Sequence, residues 1–528
     1  MLILQNISYK HTNKSLLFEN ISFTVNHHEK IALIGNNGVG KSTLLKITAG
    51  ELEPSNGKVT TISEPYYVPQ IFGQYNHLTV GEALRAAAKI NALKEILEGT
   101  VNEENLNILN DDWTIEERCN DALEYWQLQG LDLNQKLETL SGGQKTKVFL
   151  AGISIYQPEL ILLDEPSNHL DNAGRQLLYQ FIESTQSTLL IVSHDRNLLN
   201  LLKSVYELSK NGVTVYGGNY DFYAAQKEIE KNALDQDLQS KEKALRKAKE
   251  KERETMERQQ KLDARGKKKQ EKSGVARIMM NTLRNNAENS SSKLKGVHAE
   301  KIDGISSELR ELRSSLPDID QMKFGFNTAA LHKGKILFKA ENINFGFENQ
   351  FLWKDNLDFE MLSGDRIALK GLNGSGKTTL IKIILGKIKP KLGSVYASEH
   401  KSIYIDQDYS LVNSQLKVYD QAQLFNHSGL EEHDIKMRLN RFLFSQNYWD
   451  KPCDTLSGGE KMRLMLCCLT IDSESPDIII LDEPTNNLDI QNIEILTAAI
   501  NEYKGTLIVV SHDSYFLEQI NIEKTILL

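Results

Sequence analysis

Gly35–Thr43 reads GNNGVGKST, and Gly371–Thr379 reads GLNGSGKTT. Each stretch follows a short aliphatic run, KIALI at Lys30–Ile34 and RIALK at Arg366–Lys370. A strand that ends in such a glycine loop and opens a helix turns several backbone N–H groups toward one point, where phosphate oxygens are held. The candidate cradle is Gly35, Asn36, Asn37, Gly38, Val39, Gly40, Lys41, Ser42 and Thr43 in the first copy. In the second copy it is Gly371, Leu372, Asn373, Gly374, Ser375, Gly376, Lys377, Thr378 and Thr379. Lys41 and Lys377 would neutralise the β- and γ-phosphates of ATP, and the Ser42 and Thr378 hydroxyls would ligate Mg²⁺.

Outward from these loops the whole pattern repeats. LSGGQ at Leu140–Gln144 returns as LSGGE at Leu456–Glu460, and LILLDEPSNHLD at Leu160–Asp171 as IIILDEPTNNLD at Ile478–Asp489. IVSHD at Ile191–Asp195 returns as VVSHD at Val509–Asp513. Two copies of one order of motifs predict two copies of one fold. Lys41 to Lys377 spans 336 residues and Gln70 to Gln407 spans 337, whereas Ser141 to Ser457 spans 316 and Glu165 to Glu483 spans 318. The first half therefore holds about 20 extra residues between Gln70 and Ser141, with the polar run around Lys89–Trp113 as the expected insertion, a small surface projection.

The carboxylates follow from position. An apolar strand runs into Asp164–Glu165 and again into Asp482–Glu483, which sets both pairs at a strand's C-terminal end, where open α/β sheets hold ligands. Asp164 and Asp482 would hold Mg²⁺, and Glu165 and Glu483 would orient and polarise the attacking water. His194 and His512 end β-branched runs of their own and would meet the γ-phosphate at the same edge. The Ser-Gly-Gly stretches, Ser141, Gly142, Gly143, Gln144 and Ser457, Gly458, Gly459, Glu460, open apolar helices and make two further phosphate-binding N-termini.

With these stretches in place the chain resembles the ABC ATPases. The resemblance implies that each Ser-Gly-Gly helix caps the ATP held by the opposite half, one nucleotide between Lys41 and Ser457 and the other between Lys377 and Ser141. It also implies that Gln70 and Gln407 sense Mg²⁺ and water. Phe347 fits the aromatic that stacks on adenine in the second half, while the first half has His11 there and Tyr9 nearby. Neither half lacks a carboxylate or a histidine, so both sites are expected to hydrolyse ATP.

Between the halves the composition changes. Residues 241–300 hold 18 Lys and Arg against 9 Asp and Glu, so the rest of the chain carries eighteen excess negative charges toward the total of −9. An acidic body with a basic middle points to a polyanionic partner. Ala224–Lys261 lacks Gly and Pro and reads as helix, with Gly266 and Gly274 flanking a turn or short break at KKKQEKS. Val275–Leu283 and Ile302–Leu316 read as helix again, which predicts an antiparallel hairpin. The apolar Val275, Ile278, Met279, Met280 and Leu283 argue against a flexible charged linker. The expected architecture is α/β: an ATPase domain over 1–223 with an arm-like insertion about 86–115, a basic helical hairpin over 224–330, and a second ATPase domain over 331–528.

The chain shows no signal-like N-terminus and no stretch of roughly 20 apolar residues, so it reads as soluble. Its four cysteines, Cys119, Cys453, Cys467 and Cys468, make no CxxC pair and read as small apolar residues in a reducing, cytoplasmic setting. Two cassettes without a membrane domain, joined by a charged helical linker, resemble the ABC-F family, with VYGGNYDFYAAQKE at Val215–Glu228 as its entry into the hairpin. That resemblance implies a monomer with intramolecular pairing of its cassettes that acts on the ribosome. The hairpin would reach from the exit-tRNA site toward the peptidyl-transferase centre, with Lys267, Lys268 and Lys269 on rRNA or tRNA phosphates. The short arm and long linker lean toward members that protect ribosomes from antibiotics rather than general translation factors. Two other readings remain open: an energy-coupling subunit of a transporter, which leaves the basic hairpin without a use, and a DNA-associated ATPase, which expects a basic C-terminal coiled coil where only 16 residues follow His512.

Overall fold

Thr188–Val192, Leu160–Asp164 and Thr506–Val510 are buried at every position, and Ile478–Asp482 at all but the last. Strands apolar on both faces need helices on both sides, the condition of a parallel sheet. The computed structural model describes residues 1–10, 16–70, 73–209, 212–272, 296–313, 322, 332, 334–347, 350–372, 374–472 and 475–528. In the first half a sheet runs Tyr66–Val68, Leu160–Asp164, Thr188–Val192, Lys30–Ile34, Ser204–Ser209 and Gly212–Tyr216, parallel except for the last strand. The second half repeats it as Ser402–Ile405, Ile478–Asp482, Thr506–Val510, Arg366–Lys370 and Lys524–Leu527, all parallel. Each half adds an antiparallel three-stranded sheet, Leu16–Val25, Leu2–Lys10 and Asn56–Thr61, then Leu357–Leu362, Ile336–Asn344 and Leu392–Ala397.

Between the two sheets of the first half lies a core of Leu4, Phe18, Ile31, Leu44, Leu162 and Leu190, and the second half builds its own from Phe338, Ile367, Leu380, Ile480 and Ile508. The helix after each glycine loop, Lys41–Thr48 and Lys377–Ile384, inserts Leu44 and Leu45, or Leu380 and Ile381, into that core. Burial of this face anchors the loop at its C-terminal side. The four cysteines are buried, and burial pushes the Cys119 and Cys453 thiols up to about 11.

The extra residues of the first half form helices Ala87–Leu97 and Glu103–Leu109. Ile90, Leu93 and Leu109 are buried, and Asp112 accepts both Lys89 and Arg118, so one side of the pair packs onto the cassette while Leu97, Val101 and Leu106 stay exposed.

Two compact units result, Met1–Tyr223 with Met322–Leu528, and Ala224–Gln321. One helix runs Tyr220–Lys272, 53 residues, or about 80 Å at 1.5 Å per residue. It starts four residues before the expected Ala224 and passes through Gly266 without the expected turn. A single helical glycine costs only about 1 kcal/mol, and the Ala, Arg, Lys and Gln around it propagate the helix. Residues 296–313 are helical too, and beside the long helix they pair Glu308 with Lys241 and Arg313 with Glu242 around the buried Leu309. Lys268 is exposed, the Lys267 and Lys269 side chains lie outside the described residues, and so do Val275–Leu283 with Met279 and Met280. Among the described residues no helix is long and apolar enough to cross a membrane.

Candidate nucleotide sites at the face between the two halves

The loops take their shape because glycines leave the right-handed region: φ is 78° at Gly38, 105° at Gly40, 83° at Gly374 and 94° at Gly376. A Cβ on Gly40 would stand 2.7 Å from the Phe18 ring, so the close approach there needs glycine. Lys41 Nζ donates to the Gly35 carbonyl at 2.7 Å, and Lys377 Nζ to that of Gly371 at 2.7 Å, which centres each ammonium in its loop. Burial lowers the pKa of both lysines. Glu165, Asp489 and Asp164 oppose this at Lys41, and Glu483, Asp482 and Asp171 at Lys377.

Asp164 and Asp482 close their strands as the spacing requires. Tyr67 donates to Asp164 at 3.4 Å and Tyr404 to Asp482 at 2.8 Å. Burial raises the Asp164 pKa against a hydrogen bond with Ser42, and its buried Oδ1 has no hydrogen-bond partner among the described residues. An orphaned carboxylate oxygen beside a hydroxyl fits Mg²⁺, which takes one or two protein oxygens and completes its shell with phosphate and water. Among the described residues no cluster of three His, Cys, Asp or Glu could hold a metal unaided.

Glu165 and Glu483 adopt left-handed backbone, φ 51° and 49°, a strained conformation held by hydrogen bonds from their N–H groups to Val192 and Val510. His194 Nε2 stands 3.3 Å from Glu165 Oε1, and His512 Nε2 stands 3.4 Å from Glu483 Oε1. Burial pushes the Glu165 pKa up to about 8 and that of Glu483 to about 7. It also lowers His194 well below its usual range and His512 to about 4. The imidazoles are therefore neutral, and these contacts are not ion pairs. Each glutamate titrates near neutrality, where a group that takes a proton from water is most useful.

The halves meet at these loops. A cavity of about 330 Å³ is lined by Lys41, Ser42, Gln70, Asp164, Glu165 and His194 of the first half and by Ser457 and Asn487 of the second. The Asn37 N–H donates to Asp489 across the interface at 2.7 Å. On the opposite side Gln407 Nε2 lies 3.4 Å from His169 Nδ1. Ser141 and Ser457 cap their helices in reciprocal capping boxes with Gln144 and Glu460, each worth about 1 kcal/mol. A Cβ on Gly142 would come within 3.2 Å of the His169 ring. Asn373 and His11 lie outside the described residues, as does the Phe347 side chain. Leu17 lines the first cavity, and Tyr9 packs beside Phe18 at 6.4 Å between ring centroids.

Several residues of the site were not singled out in the sequence. Asp171, Asp489, His169 and Asn487 sit inside the quoted LDEP stretches, and Tyr67 and Tyr404 share the 337-residue offset of Gln70 and Gln407.

The comparisons follow the geometry. A family model described as "ABC transporter" matches residues 18–168 and 354–486. The ATP-binding protein Uup of Haemophilus influenzae is 30% identical, over 95% of this chain and 75% of its own length. ABC transporter F family member 5 of Arabidopsis thaliana is 30% identical, over 98% of this chain and 73% of its own. Among solved structures, the complex of archaeal ribosomal stalk protein aP1 and ribosome recycling factor aABCE1 aligns with a TM-score of 0.60 at 18% identity, covering 99% of this chain and 87% of that one, a likeness of fold.

Proposed function

The chain belongs to the ABC-F group of ATP-binding cassette proteins and is an ATP hydrolase, and from that premise we propose that it spends two ATP between its cassettes to bind and leave the ribosome. The observation that carries this reading is the basic helix that begins at Tyr220, within the last element of the first cassette, and continues through Lys272. Its surplus of positive charge suits rRNA, where phosphate neutralisation dominates affinity.

At each site the glycine loop and its lysine bind the β- and γ-phosphates, and the Ser-Gly-Gly helix of the other half covers them. Ser42 with Asp164, and Thr378 with Asp482, would hold Mg²⁺, which supplies charge neutralisation at the transferring phosphoryl group. Glu165 and Glu483 orient the attacking water in line and accept its proton. His194 and His512, neutral, donate to the γ-phosphate, and Gln70 and Gln407 border the same space. Catalysis is then positioning and charge stabilisation.

The test is sedimentation of the Glu165→Gln, Glu483→Gln chain with ribosomes in ATP and in ADP. Retention in ATP and release in ADP are expected, because closure should depend on nucleotide. Equal association in both states would refute the switch. Inhibitory concentrations of lincosamides, streptogramins, macrolides and phenicols, measured with the chain expressed in a sensitive host, separate drug protection from a general role in translation.

A further inference from the structure

We propose that the far end of helix Lys377–Ile384, with the edge strand that follows it, forms a second RNA-binding surface, separate from the basic linker. The inference rests on the reading that the chain acts on the ribosome, and it names a further place where the chain would touch ribosomal RNA.

The charge there is local and of one sign. From Arg366 to Ser398 the chain has seven Lys and Arg and no Asp or Glu, in a body that is acidic as a whole. Lys377 serves the nucleotide at the N-terminus of its helix. Lys382 lies in the last turn of that helix, about 12 Å from the phosphate end at 1.5 Å per residue over eight residues, and Lys387, Lys389 and Lys391 follow it. All four are exposed, and among the described residues none is paired with a carboxylate. Exposure alternates along the segment. Ile388 and Pro390, between the last three lysines, are half-buried, and Ile388 packs on the core.

The internal repeat supplies the control. At the 336-residue offset of Lys41 and Lys377, Lys382 answers to Lys46, but Lys387, Lys389 and Lys391 answer to Glu51, Glu53 and Ser55. The offset holds through this stretch. Pro390 answers to Pro54 and Gly393 to Gly57, with φ of 80° and 94°, and a Cβ on either glycine would stand 2.4 Å from the carbonyl oxygen of Asn342 or Asn6. One turn is thus built with glutamates in the first half and lysines in the second. Cations are favoured near a helix C-terminus, but the first half shows that this helix end does not require them.

An aromatic ring adds to the surface. Leu392–Ala397 is the outer strand of its sheet and exposed at every position, and Tyr396, opposite Lys339, is 57% exposed. The first half has Thr60 there. Unpaired ammonium groups neutralise phosphates, and an exposed ring offers a face to an unpaired base, a combination that suits RNA.

Sedimentation of the Glu165→Gln, Glu483→Gln chain with ribosomes in ATP, over a range of salt, tests this. Adding Lys389→Glu with Lys391→Glu should weaken binding at least about tenfold near 0.1 M salt, and should reduce the slope of log affinity against log salt by about 1.5, as loss of two phosphate contacts does. Lys387 is left in place because its ammonium stands 5.9 Å from the ring of Tyr404, which donates to Asp482. Lys58→Glu with Lys203→Glu, an equal change of charge at exposed residues of the first half, should weaken binding less than about threefold. In the chain that keeps both glutamates, ATP cleavage without ribosomes and the melting temperature should be unchanged by the Lys389 and Lys391 pair. A photo-reactive side chain in place of Lys389 should cross-link to ribosomal RNA. Equal weakening by the two pairs would mean an effect of bulk charge, an unchanged salt slope would mean no phosphate contact, and a cross-link to protein alone would mean a protein partner. Each of these overturns the inference. Failure of the parent chain to bind ribosomes at all would instead refute the ribosomal reading beneath it.

Discussion

At the Glu165 face, Lys41, Gln70 and His194 close on a cavity with Ser457 and Asn487, and Asp489 accepts a backbone N–H from the opposite loop. At the Glu483 face, Gln407 meets His169 across the boundary. The lysines, aspartates, glutamates, histidines and glutamines that would touch phosphate, metal and water recur on both faces, with Thr378 answering to Ser42. Their neighbours do not: His169 faces Asn487 across the repeat, Arg175 faces Ile493, and Arg196 faces Ser514.

The strongest way to break this comparison is to remove both glutamates. Glu165→Gln with Glu483→Gln should lower steady-state phosphate release at least about 100-fold while two ATP still bind, because the loops and lysines are untouched. Release near the wild-type rate would mean that neither face works through its glutamate. A smaller effect is expected from Lys41→Ala or Lys377→Ala, each weakening ATP at its own face about tenfold or more, as loss of a charge-assisted contact does. Calorimetry should then count one tight nucleotide instead of two, and loss of both from a single change would show that the faces do not bind separately.

Two further comparisons concern stability. Arg196 is buried, 3.3 Å from Glu494 of the other half, and lies over the rings of Tyr220 and Tyr515 at 5.8 and 5.5 Å. Glu494 is half-exposed, so the rings carry most of the contact. Arg196→Ala should cost roughly 1–2 kcal/mol in thermal melting, against less than about 0.5 for Ser514→Ala. The smallest difference is one of sign. Gly458→Ala meets only Asn487 O at 3.6 Å and should gain a few tenths of a kcal/mol from helix propensity, about the usual size of that effect. Gly142→Ala meets the His169 ring at 3.2 Å and should lose it.

What could be read in advance was contiguous. The glycine loops, the Asp-Glu strand ends and the histidines each fit within a dozen residues and occur twice, so pattern alone located them. The aliphatic runs LILLD and TLLIV lead into the predicted carboxylates and histidine, and they are parallel strands buried on both faces. Gly266 misled because local propensity marks a glycine as a break, while a helix already running through charged helix formers tolerates one. The contacts across the interface, Asn37 with Asp489 and Gln407 with His169, join residues hundreds of positions apart and leave no periodic trace.

Because both cassettes belong to one polypeptide, the boundary between them need not be symmetric: Gln407 meets His169 across it, where the repeat would put Asn487. In an assembly of two identical subunits, the same residue would arrive at both faces. A single chain that holds both halves allows His169 at one face and Asn487 at the other. Fusion of the duplicated gene thus permits more than a fixed stoichiometry: it lets the two faces inherit different mutations.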